Sequence, residues 1–147
     1  SMTALAGVTG ISEDTIGHSS ARILSFMAQS HPPVAQWWVE LAGLLDELRQ
    51  RMNTQHLDAA GRRELREQIR RDAPHMFFRI RRLENEAEAL EDEMMRVRLI
   101  VGDAAGDPRA AGRVGLAVDA LLMQVQQHER NVREVLLDAY EQDLGGG

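Results

Sequence analysis

Apolar residues recur along this chain at alternating intervals of three and four, interrupted at a few joints rich in glycine and proline. The longest stripe is Val114, Val118, Leu121, Val125, His128, Val132, Val135 and Ala139. That spacing puts every member on one face of an α-helix of about thirty residues, with a histidine in the middle of the face. Asp107-Pro108 predicts its start, a capping residue followed by a proline in the first turn, where a missing N–H costs nothing. Asp143-Leu144-Gly145-Gly146-Gly147 predicts its stop.

Three more stripes precede it. Ser12-Glu13-Asp14 supplies a cap and two first-turn acids, after which Ile16, Ile23, Leu24 and Met27 share a face that ends before Pro32-Pro33. His18 falls almost opposite that face and reads as a solvated side chain. Val34, Trp37, Leu41, Leu44, Leu45, Leu48 and Met52 mark the second helix, and continuing its stripe turns His56 inward. Between Leu57 and Asp72 the pattern weakens to Leu65 and Ile69, which predicts a connecting segment with at most a short surface helix. After Asp72-Ala73-Pro74, a third long stripe runs through Met76, Ile80, Leu83, Ala87, Leu90, Met94 and Val97, and Gly102-Asp103-Ala104-Ala105-Gly106 breaks it. The expectation is an all-α fold, an antiparallel up-down four-helix bundle over residues 11–147. Residues 1–10 are expected to be a flexible lead-in, with Ser1 ahead of Met2 a tag-cleavage scar.

Composition narrows the function classes. With 4% aromatics and 44% apolar residues, the core must be built from Leu, Val, Ala, Met and Ile, which suits packed helices. The absence of cysteine removes disulfides and thiolate ligands. No apolar run approaches the ~20 residues of a membrane span, so a cytoplasmic protein without membrane contact is expected. A net charge of −6 argues against a general nucleic-acid binder. Eight arginines lie between Arg62 and Arg82 and six acids between Glu84 and Glu93. They are read as a solvated face whose charges offset one another. The competing reading, a nucleic-acid-binding regulator, has only Phe77 and Phe78 as interleaved aromatics. Of Trp37-Trp38, one is expected in the core and the other over a helix crossing, with His31 and His75 on the surface. There is no phosphate-binding glycine loop and no nucleophile elbow, so no enzyme is expected. A protein or small molecule is left as the partner class.

Certain residues resemble a known family. The run His128-Glu129-Arg130-Asn131, then Leu136-Leu137-Asp138-Ala139-Tyr140, then Asp143-Leu144-Gly145-Gly146, is similar to the last helix of hemerythrin-like domains. Trp37-Trp38 through Leu48, then His56, then Ala73-Pro74, fits that family's middle, and the likeness covers roughly residues 12–147. It implies a four-helix bundle holding two irons, with a histidine on helix 1, His-x-x-x-Glu on helix 2, a histidine on helix 3 and His-x-x-x-Glu on helix 4. Such a centre needs neutral imidazoles and bridging carboxylates from facing helices.

Placed on this chain, the pattern keeps His128, His56 and His18 but departs elsewhere. Ala60 stands four residues after His56, Val132 four after His128, and Ala87 at the helix-3 histidine position. Glu86 and Glu88 flank Ala87, with their wheel positions off-centre. The resemblance therefore implies an eroded metal centre in a non-catalytic binding or regulatory module, with no cofactor. The alternative is an oxygen- or redox-sensing protein holding iron through a reduced set drawn from His18, His56, Glu86 and His128. A third reading makes His56 and His128 ordinary buried imidazoles bonded to a neighbour, to a buried water or to each other.

Overall fold

The computed structural model describes residues 13–29, 35–55 and 59–145, and within them leaves out the side chains at 13–15, 54, 55, 59–62, 65, 66, 139, 140 and 142–145. The expected lead-in at 1–10, the Ser12 cap, Pro32-Pro33, His31, Val34 and His56 lie outside the described residues, as do the side chains of Ala60, Leu65 and Ala139.

The described chain is all-helical. Its five helices are α1 (Glu13–Ala28), α2 (Ala35–Gln55), α3 (Ala59–Asp72), α4 (Phe77–Ala104) and α5 (Ala111–Gly145). Single 3-10 turns, Pro74–Met76 and Pro108–Ala110, lead into α4 and α5. The α4–α5 joint works as its residues dictate. Gly106 takes φ +88, the left-handed region that a Cβ disfavours. Asp107 then caps the turn, its carboxylate accepting the Arg109 N–H at 3.0 Å.

Neighbouring helices run antiparallel. α1 meets α2 through Arg22–Glu47 at 2.8 Å and the stacked rings of Phe26 and Trp37. α2 meets α4 through Arg49–Glu91 at 2.9 Å and Asp46–Arg98 at 3.0 Å. α4 and α5 make the most extensive contact, with Arg79–Asp138 at 2.8 Å near one end. α1 also touches α5, where the Met27 side chain lies over Gly115.

The core divides in two. The larger cluster gathers Ile16, Ile23, Leu41, Leu48, Leu90, Val97, Val114, Val118, Leu121 and Val125 with their neighbours from α1, α2, α4 and α5. A smaller one joins Ile69 of α3 to Ala73, Met76, Ile80 and Val135, with Leu83 and Leu136 packed against it. The expected stripes on α2, α4 and α5 are the buried faces, apart from the partly buried Leu44, Leu83, His128 and Val132.

Several expectations change. The segment after Leu57 is a 14-residue helix that buries Ile69, because one well-placed isoleucine suffices once the α4 and α5 ends supply the facing surface. Leu24 is exposed at 41%, while Phe26, Ser19 and Ser20 are buried on α1. Both tryptophans are buried: Trp37 stacks on Phe26, and Trp38 meets Trp37 edge-on at 4.8 Å.

Candidate functional site

A half-buried polar group is made by α4 and α5. His128 follows Val125 on the buried face of α5, so its ring points toward α4 and its side chain is only 11% exposed. Glu86 precedes buried Ala87 on α4 and leans around the helix toward α5. The Nδ1 of His128 lies 2.9 Å from Glu86 Oε1. Asn131, one turn beyond His128, donates from Nδ2 to both Glu86 oxygens, at 3.1 and 3.2 Å. An ionised carboxylate can only accept, so in this pair His128 donates its Nδ1–H. Glu86 is thus off the apolar direction, as its wheel position requires, yet it is the group that engages His128.

This clamp lies between the two apolar clusters: Leu90 and Val125 of the larger bound it on one side, Leu83 and Val135 on the other. None of its three residues lines the surface cleft between α1 and α5, walled by Leu24, Met27, Trp37 and Gly115, or the cleft between α1 and α2 around Phe26 and Leu44.

The residues singled out from the sequence are brought together only in part. Glu86 and His128 meet; His18 is exposed on α1, and His75 is exposed in its 3-10 turn. Ala87 is buried, Val132 is half-buried and Glu88 is exposed. Among the described residues no three His, Asp or Glu side chains converge as a metal site requires. The donor set there does not fit a di-iron centre: Ala87 and Val132 carry no donor, and Glu86 already takes three hydrogen bonds from His128 and Asn131. Asn131 is the member that sequence reasoning missed. Its position one turn after His128 was its only available signal, since asparagine on a half-buried helix face calls for a partner.

No family model matches the chain, and no curated protein or solved structure matches it significantly. Among the described residues, no helix is long and apolar enough to cross a membrane.

Proposed function

We propose that this chain is a hemerythrin-like four-helix bundle with an eroded metal centre, serving as a non-catalytic binding or regulatory module. The antiparallel neighbours α1, α2, α4 and α5, with α1 returning to α5, support the bundle, and α3 is then an addition at one end. The observation that carries the reading is the Glu86–His128–Asn131 clamp. It satisfies with protein hydrogen bonds the carboxylate and imidazole that a metal would otherwise claim, and it ties two helices at fixed register. A half-buried carboxylate without a cation is costly unless donors surround it, and Asn131 and His128 are such donors. Losing the metal and gaining the clamp are then one change.

A second reading has one observation in its favour. A carboxylate on Nδ1 is also how a metal-binding imidazole is oriented, leaving Nε2 toward the ion. An iron protein with a reduced ligand set would use His128 in this way, with His18 and His56 as the other histidines of that set. Elemental analysis decides between the two. Protein expressed in iron-supplemented medium and dialysed is expected to carry far less than one iron per chain. Stoichiometric iron that survives dialysis would overturn the first reading and favour the second.

A further inference from the structure

Among the described residues the most exposed large apolar side chain is Phe78, at 80%. It lies in the first turn of α4, beside Phe77, whose ring it meets edge-on at 5.7 Å. Phe77 is half-buried, and the Arg70 guanidinium of α3 stacks over it at 5.1 Å. Arg81 and Arg82, three and four residues after Phe78, share its outward face and are exposed. Arg71 and His75, just before it, are exposed as well.

Charge sets this corner apart. Arg70 has Glu67 at 3.5 Å, Arg79 has Asp138 at 2.8 Å and Arg71 has the Asp72 carboxylate beside it, whereas Arg81 and Arg82 have no ion-pair partner among the described residues. Residues 62–82 hold eight arginines and three acids, and the rest of the chain holds nine arginines and twenty acids. A net-acidic protein therefore concentrates its positive charge where the most exposed aromatic ring among the described residues stands. A lone exposed phenylalanine needs no explanation, but one flanked by two guanidiniums without an acidic partner among the described residues does.

We propose that this α3–α4 corner docks on an anionic lipid surface, with the Phe78 ring entering the interfacial layer and Arg71, Arg81 and Arg82 meeting the headgroups. Basic side chains flanking an apolar anchor are the recurring chemistry of peripheral lipid contact. The shape favours a lipid over a nucleic-acid strand. Single-strand binders stack successive bases on several rings along a charged groove. Here Phe77 is turned into its contact with α3, and of the two rings only Phe78 stands clear of the surface.

The test is co-sedimentation of the whole chain with vesicles of phosphatidylcholine, alone or with phosphatidylserine at about three parts in ten. The expected result is retention on the anionic vesicles only, lost on raising the salt. Arg81→Gln with Arg82→Gln should weaken partitioning by about fivefold for each arginine removed. Phe78→Ser should weaken it several-fold, with the helical circular dichroism of all variants unchanged because these side chains are exposed. Phe78→Trp should report entry by a blue shift of its emission on anionic vesicles. Equal binding to neutral vesicles, no retention on either, or variants that bind like the parent would overturn the proposal. So would a single-stranded oligonucleotide that binds this patch when vesicles do not, which would assign the corner to nucleic acid.

Discussion

Glu86 and His128, 42 residues apart in sequence, are held 2.9 Å apart across the α4–α5 interface. Together with Asn131 they form a half-buried hydrogen-bonded unit, so their energies are coupled. Glu86→Ala is expected to cost about 1–3 kcal/mol, because it leaves two donors without an acceptor. The double variant Glu86→Leu/His128→Leu should cost clearly less than the two single leucine substitutions added together. Urea unfolding of the cycle measures this, and strict additivity would mean that the bond contributes nothing.

Val132→Glu tests the register of α5. Val132 is half-buried one turn after His128, so a carboxylate there is expected to cost about 1–3 kcal/mol. Adding Ala60→Glu and Ala87→His should recover part of that loss only with iron(II) under anaerobic conditions, since metal that binds the folded state alone stabilises it. Thermal unfolding with and without iron reads both effects. A harmless Val132→Glu would place position 132 in solvent.

Much of this architecture was legible in the sequence, and the exceptions share a cause. Long stripes on α2, α4 and α5 are redundant: losing one position leaves the face defined. α3 offers a single described buried residue, Ile69, and so reads as a connector until its docking surface is known. Ser19 and Ser20 on α1 look like solvent-facing residues by type, yet helical spacing from Ile16 and Ile23 buries them. Glu86 is legible only as a flanking carboxylate and candidate ligand, not as the partner of His128, because a wheel assigns a direction to Cβ and ignores the reach of a carboxylate. His128 was found because an imidazole in a valine stripe is conspicuous.

The α1 serines carry their own expectation. Ser19 and Ser20 are buried at 1% and 5%, and neither hydroxyl has a hydrogen-bond partner among the described residues. Replacing either by alanine removes a desolvated hydroxyl and improves helix propensity, so each should stabilise by about 0.5–1.5 kcal/mol. A shift of the urea midpoint to lower concentration would contradict this.

Two glycines should respond with opposite sign. Gly43 is exposed within α2 with open space where a Cβ would go, so Gly43→Ala should stabilise by about 0.5–1 kcal/mol. Gly106 has equally open space but φ +88, so Gly106→Ala should destabilise by about 1–2 kcal/mol. Thermal melts of the pair check the prediction, and a shared sign would refute it.

Glu93 on α4 titrates below its ordinary 4.5, because Arg96 donates a hydrogen bond to its carboxylate. A lowered folded-state value means stability that is present above the unfolded value and lost as pH falls through the folded one. Glu93→Gln should therefore lower the Tm by about 1 °C at neutral pH, as expected for one surface pair. That difference should close as the pH drops well below 4.5. A gap that persists in acid would assign the effect to packing.

The split core also governs how the molecule opens. The larger cluster draws on four helices, whereas α3 is anchored in the smaller one through Ile69, beyond the Glu86–His128–Asn131 layer. Breaking the small cluster exposes little apolar surface, so the α3 end can detach at a fraction of the global unfolding free energy. Amide protons in α3 would then exchange with solvent long before those around Val118 and Leu121. The polar layer would mark the border between a part of the molecule that breathes and a part that melts only once.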